Sequence, residues 1–464
     1  MDADAQPRSG RAPPGASMSG AAENARMLAA LLGVEEEEAT ERLQRRVLIT
    51  ADDGPAAGWA AEIATMLERT VLLTNDPAQA DVELLVGGAA ARASAPAVYA
   101  AIDAECAVVS RAPVGPLGAE PPLPLFAMIC ACGAAAAVLN AVVDDARLPP
   151  TPDPLDVRLA DLALPALRGL APIDLSGAVL VGAGAVAHGF LKALRHLPVQ
   201  GRLDVVDPKN VGSGNINRCL YLSDGDVGDP KATALVEHAA SDFHYLELAP
   251  EILEFKDYVA KRPKVPLAIV TIDSRRARRQ LQKYVPGKVL DASTTDVRGV
   301  VVHSHIQPTA GACLACIYQH IPDEAARERS IADGLGVSLA EVKQGFIDVA
   351  VAEKICQAYP SLDPGTLVGK AFDTLFRELC GEQVLRTPEG RQVLTPFAFV
   401  SALAGALLAV ELVRQATGRA ETNYWQVDPW RAPLTRMRRK RSKIPDCEFC
   451  SRPEADTVVR HLWG

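Results

Sequence analysis

What is scarce in this 464-residue sequence excludes several classes of protein. Ten cysteines in a chain this long are too few for a disulfide scaffold. Positive charge is not in excess: 48 Lys and Arg stand against 57 Asp and Glu, for a net charge of −9. That balance argues against a chain built as a whole to grip nucleic acid, although a local basic patch remains compatible with it. No uninterrupted apolar stretch is expected to reach the ~20 residues that span a bilayer. Residues 1–22 are rich in Gly, Pro, Ser and Ala and hold no apolar core of the signal-peptide kind. Membrane spanning and secretion are therefore disfavoured, and a cytoplasmic protein is expected.

What is present is globular. Hydrophobic residues make up 48% and charged residues 23% of the chain, and the length suits two to four domains of ~150 residues each. Residues 1–22 read as a disordered leader. A first α/β domain is expected over 23–148, with strands at 46–50, 70–73 and 82–86, an Ala-rich helix at 58–69 and an apolar helix at 126–143. Prolines 149, 150, 152 and 154 make 149–174 a linker. A clearer α/β pattern follows over 175–316, with strands at 178–181, 203–206, 267–271 and 288–290 and a helix at 189–197. Residues 317–394 read as mostly helical and polar, and 395–464 as an apolar helix (397–415) with a basic tail. One self-match connects the two ends of the chain. Pro124, Gly133, Ala137 and Val138 align at constant separation with Pro396, Gly405, Ala409 and Val410. Two Ala-rich core helices can match by chance; the alternative is a degenerate duplication. The N-terminal strand leads into Ala51-Asp52-Asp53-Gly54, with no glycine cluster to admit phosphates.

Chemistry concentrates in the second α/β segment. After strand 178–181 comes Gly182-Ala-Gly184-Ala-Val-Ala187 and then a helix. Glycines at a strand-to-helix turn let the backbone approach a phosphate, which the helix N-terminus favours through free amides and dipole. Asp207 ends the next strand ~20 residues on, where a carboxylate accepts ribose hydroxyls. A ribonucleotide site is expected. Four cysteines form two tight pairs, Cys313/Cys316 and Cys447/Cys450, and in a reducing compartment such pairs are metal ligands or redox centres.

The run Asp207-Pro-Lys-Asn-Val-Gly-Ser-Gly-Asn215-Ile-Asn217-Arg218-Cys219, followed by Val227-Gly228-Asp-Pro230-Lys231, resembles the ThiF family of adenylating enzymes. That family includes ubiquitin-activating enzymes and the activators of sulfur-carrier proteins. The resemblance implies a Rossmann-like adenylation domain with a mostly helical crossover insertion, a zinc-clipped C-terminal tail, and here a degenerate N-terminal α/β domain. It assigns Gly182, Gly184 and Asp207 to the nucleotide, with Asp207 on the ribose. Asn215, Arg218 and Lys231 fall to the triphosphate, which needs fixed cations. Asp273 in Thr271-Ile-Asp273-Ser-Arg-Arg-Ala-Arg278 falls to Mg²⁺, which sits on one or two carboxylates plus phosphate oxygens. Asp291 stands where the family places a wall of the substrate channel, or else caps a helix. Zinc is the metal implied for Cys313, Cys316, Cys447 and Cys450. Two positions depart from the family. Cys219 replaces a common Gln, read as a packing substitution, and Lys209 replaces a common second acid. The basic run 436–443 is a solvated face near a site expected to receive an acidic partner.

The ~75 residues between 317 and 394 exceed a plain connection. In ubiquitin-activating enzymes this crossover carries the cysteine that takes the acyl group from AMP. Cys380 is the better candidate, and Cys356 reads as the inner face of a helix. The expected activity is ATP-dependent adenylation of the C-terminal carboxylate of a ubiquitin-like protein, then thioester formation and transfer to a conjugating enzyme, as in bacterial ubiquitin-like conjugation. Alternatives are an activator of a sulfur carrier or of a peptide precursor, and a non-catalytic scaffold that binds a ubiquitin-like protein. No nucleic acid or membrane partner is expected. Pairing of two adenylation-like halves is expected between two chains or within one. The second arginine that the family borrows across that interface has only Arg158 and Arg168 as guesses.

Overall fold

The computed structural model describes residues 18–115, 117–118, 120–162, 164, 169–295, 297–319, 322–344, 347–368, 372–379, 397–419 and 421–464. Helix α1 (Met18–Leu32) starts inside the segment expected to be a leader, because Ala-rich sequence with leucines on one side favours a helix that can be buried. Helix α2 (Glu36–Leu43) and strand β1 (Arg46–Ala51) follow, then α3 (Pro55–Leu67), β2 (Leu72–Thr74), β3 (Val82–Val86), β4 (Ala97–Ile102), β5 (Cys106–Ser110), α4 (Pro124–Val143) and β6 (Leu155–Arg158). The strands form one sheet in the order β2-β1-β3-β4-β5-β6, parallel through β4 and antiparallel beyond it. The expected linker thus contains a strand. Leu155 and Val157 point into the core while Asp156 and Arg158 face out, an alternation too short to stand out among prolines.

The second half runs through β7 (Ile173–Asp174), β8 (Ala178–Val181), α5 (Ala185–Leu194), β9 (Val199–Val206), α6 (Lys231–Ala239), β10 (Leu246–Glu251), α7 (Phe255–Lys261), β11 (Leu267–Val270), α8 (Arg275–Leu281), β12 (Lys288–Thr294), β13 (Val300–Ile306) and α9 (Leu314–Ile317). Helices α10 (Pro322–Leu335), α11 (Leu339–Gln344), α12 (Val349–Ala358), α13 (Pro364–Leu367) and α14 (Phe372–Leu379) belong to a separate compact unit within 318–394. That unit has its own core, in which Ile331, Leu335, Val351, Ile355, Phe372 and Leu375 pack together. The chain then returns through α15 (Ala398–Ala416), β14 (Tyr424–Val427), β15 (Arg438–Arg439) and α16 (Pro453–Trp463).

The second sheet has the order β10-β9-β8-β11-β12-β13-β14-β15. Its stretch β9-β8-β11-β12-β13-β14 repeats the N-terminal order and the same directions, three parallel pairings and then two antiparallel. α5 corresponds to α3 and α15 to α4. The repeat supports duplication over chance similarity, because unrelated Ala-rich helices would not carry six matching strands with them. α4 and α15 pack on each other where the halves meet, so the pairing is made within one chain.

These two helices correct one sequence expectation. At 20 and 19 residues, both are long and apolar enough by length and composition to cross a membrane. In the fold they are core helices, with 78% of the apolar window of α4 and 94% of that of α15 buried. The small residues of α15 permit close packing: a Cβ on Gly189 of α5 would stand 2.7 Å from the Ala402 Cα, and one on Gly405 would overlap the backbone of Gly189 and Phe190.

Candidate functional site

β8 ends in a turn that only glycine can make. Gly182 has φ +96°, and a Cβ there would also meet Ile272 at 2.8–3.1 Å. Gly184 precedes the first turn of α5, and a Cβ on it would meet nothing within 4 Å, so the turn opens toward free space. Asp207, at the end of β9, is buried and lines this turn. Its Oδ2 accepts the Ala183 N–H at 2.8 Å and its Oδ1 the Lys209 N–H at 2.8 Å. Each carboxylate oxygen keeps a lone pair for a further donor.

The two polar motifs after β9 are stitched together. Val211 donates its N–H to the Asp229 carbonyl at 2.8 Å, Gly228 to Val211 at 2.9 Å, and Lys231 to Lys209 at 2.9 Å. Lys231 therefore opens α6 directly beside the Asp207 loop. Asn215 closes its own turn by accepting the Gly212 N–H at 2.9 Å. Arg218 donates to the Gly214 carbonyl at 2.6 Å and to Asn217 Oδ1 at 2.7 Å. Burial lowers its pKa, while Cys219, Glu23 and Asp273 act in the opposite direction. Cys219 packs among Val211, Ile216, Leu222 and Ala234, and burial pushes its thiol up against the pull of Arg218, Lys231 and Arg69. That is the packing role expected of it. Asp207 and Lys231 are joined through Lys209, whose N–H bonds Asp207 and whose carbonyl accepts the Lys231 N–H.

Asp273 lies across the turn, on the loop after β11. Thr271 ties that loop to the glycine turn by donating from Oγ1 to the Gly182 carbonyl at 2.7 Å. Asp273 itself is exposed, and the Lys209 Nζ lies 3.7 Å from its Oδ1. The loop is held from below by Arg278, which is buried and donates to the Ile272 carbonyl, to the Ala292 carbonyl at 2.9 Å, and to the Asp291 carboxylate. Asp291 is completely buried in that pair, so it neither lines a channel nor caps a helix. A buried guanidinium needs a buried carboxylate. Arg278 was legible only as one more arginine in a polar run.

The N-terminal half contributes residues that the motifs did not reveal. Asn24 of α1 accepts from Asn217 Nδ2 at 3.0 Å. Arg69, after α3, donates to three carbonyls of the motif segment, those of Ile216 (3.2 Å), Leu220 (2.9 Å) and Leu222 (2.8 Å). Arg26 of α1 pairs with Glu23 at 3.1 Å, and Glu23 acts on Arg218. Of the two guesses for a borrowed arginine, Arg158 is paired at the surface with Asp156 at 3.0 Å, and Arg168 lies outside the described residues. At the corresponding turn of the N-terminal half, the Asp52 carboxylate accepts the Gly88 N–H at 2.5 Å. That turn keeps one open glycine, Gly54 with φ +77°, but has acids at Asp52 and Asp53 where the second half has Gly182 and Ala183.

The two cysteine pairs, 134 residues apart in sequence, converge. Sγ–Sγ distances are 3.8 Å for Cys313–Cys316, 3.6 Å for Cys313–Cys447 and 3.4 Å for Cys316–Cys450, and all four sulfurs lie within 4.8 Å of one another. These separations are too long for a disulfide and match the ~3.8 Å edge of a tetrahedron with ~2.3 Å Zn–S bonds. Among the described residues this is the one His/Cys/Asp/Glu cluster that could hold a metal ion. The knuckle is joined to the Asp273 loop through α8, where Arg279 pairs with Glu448 at 2.8 Å. Of the basic run, Arg436, Arg439, Lys440 and Arg441 are exposed. Arg438 departs from the expected solvated face: it is buried on Glu411 at 2.6 Å and over the Trp425 ring. Cys380 lies outside the described residues. Cys356, on α12, is half-buried and packs against the core of the helical unit.

Comparison with known families places the chain. The model of the E1 N-terminal domain matches residues 17–165 and that of the ThiF family residues 158–449. The chain belongs to the ThiF family. A relative, the uncharacterized protein y4jF of Sinorhizobium fredii, is 30% identical over 269 residues, which are 53% of this chain and 50% of that protein. The chain thus spans about half the length of the curated relative it matches. Similar solved structures include Escherichia coli MccB with succinimide (TM-score 0.37, 14% identity, 59% of this chain and 66% of that one). They also include MccB with ATP (TM-score 0.36, 14%, 59% and 65%).

Proposed function

We propose that this chain activates a carboxylate with ATP, and that the carboxylate is the C-terminus of a ubiquitin-like protein. The observation that supports the reading is the glycine turn with Asp207 bonded to it through Ala183, Lys231 opening its helix on the Lys209 carbonyl, and Asp273 on the neighbouring loop. Asp207 would hold the ribose, Asn215, Arg218 and Lys231 the phosphates, and Asp273 Mg²⁺. A carboxylate oxygen attacks the α-phosphorus, the bond from that phosphorus to the bridging oxygen breaks, and pyrophosphate leaves with the electron pair. The chain's contribution is alignment and charge neutralisation by cations already fixed in place. Arg26, carried by α1 to the edge of this segment, is the candidate for the second arginine.

The match to the E1 N-terminal domain and the long helical crossover support a ubiquitin-like substrate over a sulfur carrier or a peptide precursor. A thiolate of the crossover would then attack the acyl carbon and release AMP, and the thioester would pass to a conjugating enzyme. Cys380 is the first candidate for that thiolate and Cys356 the second. The four-cysteine knuckle would hold a structural zinc. ATP and reduced thiols together suit the cytoplasm.

The test is exchange of labelled pyrophosphate into ATP in the presence of a candidate carrier. Carrier-dependent exchange is the expected result. Exchange absent with every carrier tested, while carriers still bind, would instead favour the scaffold reading. A thiol-sensitive adduct that Cys380→Ala removes supports the transfer step, whereas an adduct that survives it takes Cys380 out of the mechanism.

A further inference from the structure

Lys209 stands where the ThiF pattern commonly has an acid, so the charge at this point of the site is reversed. Both of its backbone groups are committed. Its N–H bonds Asp207 Oδ1 at 2.8 Å and its carbonyl receives the Lys231 N–H at 2.9 Å. The side chain therefore starts from a fixed point between the acid expected on the ribose and the lysine expected on the phosphates. From there it crosses to the loop after β11, where its ammonium lies 3.7 Å from Asp273 Oδ1. The two side chains are 43% and 66% exposed, so their attraction is screened by water and adds little to the stability of the fold. Such a pair can be exchanged cheaply. Glu254, at the start of α7, belongs to the same cluster: burial raises its pKa, and Lys209 is the first cation that opposes the rise. Lys209 thus stands among three carboxylates, those of Asp207, Asp273 and Glu254.

We propose that Lys209 is a built-in counter-cation of the nucleotide site. It holds Asp273 in the free protein, releases it when a metal–nucleotide enters, and turns its ammonium to the polyphosphate. This inference rests on the nucleotide reading given above. An ammonium on a flexible four-carbon stem is suited to changing partners within one site. A divalent ion arriving at Asp273 repels it, and phosphate oxygens attract it, so the two moves favour each other. An acid at the same position would add negative charge beside the phosphates and leave a divalent ion to compensate for it. Nucleotide binding by this chain therefore depends less on divalent metal than it would with an acid at position 209.

The experiment is equilibrium binding of ATP to the full-length protein, in excess Mg²⁺ and in EDTA. It compares the wild type, Lys209→Met, Lys209→Asp and a control, Lys256→Met, which alters a cation on α7. Melting temperatures of all four confirm that they are folded. Removing Mg²⁺ is expected to weaken Lys209→Met about tenfold more than the wild type, a difference of ~1.4 kcal/mol, and to weaken Lys209→Asp further still. Lys256→Met should follow the wild type. An equal loss on metal removal in the wild type and Lys209→Met overturns the inference, as does a loss in Lys209→Met that is the same with and without Mg²⁺. A wild type that binds no ATP in either condition overturns the nucleotide reading itself, and this inference with it.

Discussion

Arg218 and Lys231 are the fixed positive charges of the proposed site, and they differ in how firmly the fold holds them. Arg218 is tied to Gly214 and Asn217, whereas Lys231 is anchored through its backbone. Charge-assisted bonds to phosphate contribute ~1.5–3 kcal/mol each. Arg218→Ala and Lys231→Ala should therefore each weaken ATP binding at least ~10-fold by calorimetry, and only Arg218→Ala should also lower the melting temperature appreciably. Glu254 gives a pH prediction. Burial raises its pKa to about 7 in the folded chain, against the pull of Lys209. The folded state then binds the proton more tightly than the unfolded one. The stability contributed by the neutral form is full below the unfolded value near 4.5 and is lost as pH rises through about 7. Glu254→Gln should flatten the decline in melting temperature between those pH values and leave the variant more stable than the wild type at pH 8. A parallel decline in both proteins would contradict the assignment.

At the scale of elements, two packing features can be tested. α5 and α15 approach so closely at Gly189 and Gly405 that a side chain has no room. Gly405→Val should cost ~3 kcal/mol or more, read as a large drop in the denaturation midpoint, since overlap with backbone cannot be relieved by a rotamer change. The cysteine knuckle should bind one zinc per chain by elemental analysis. Cys447→Ser/Cys450→Ser should lose that zinc and open the segment after residue 444 to proteases, because the metal would clip it to α9. A protein without zinc whose tail resists proteolysis would overturn the clip.

Elements were legible in the sequence in proportion to their burial. β8 and β11 read as continuous apolar runs because they are central parallel strands, and β3 nearly so, interrupted only by the buried Glu83. β6 did not, because four alternating residues among prolines look like a linker. The glycine turn, Asp207 and the motif segments were legible because phosphate chemistry constrains residue type and spacing together. Arg69 was not, since the carbonyls it grips lie 147–153 residues away. Asp291 was misplaced because its partner Arg278 could not be chosen among the arginines of one short run.

At the scale of the whole molecule, one chain contains two versions of the same strand order, and only the second has the Gly182-Ala-Gly184 turn with a carboxylate, Asp207, bonded to it. The N-terminal half supports the segment that carries Arg218. Arg69→Met should leave three carbonyls without their donor and weaken ATP binding, although Arg69 is not among the residues proposed to touch the nucleotide. A carboxylate at Asp52, held on the Gly88 N–H, would disfavour phosphate at the corresponding turn of that half. The most direct measurement is therefore calorimetric titration of the full-length protein with Mg·ATP, alongside Asp207→Ala/Arg218→Ala. The account predicts one nucleotide per chain for the wild type and none for the double variant. Two nucleotides per chain, no binding at all, or binding unchanged in the double variant would contradict it.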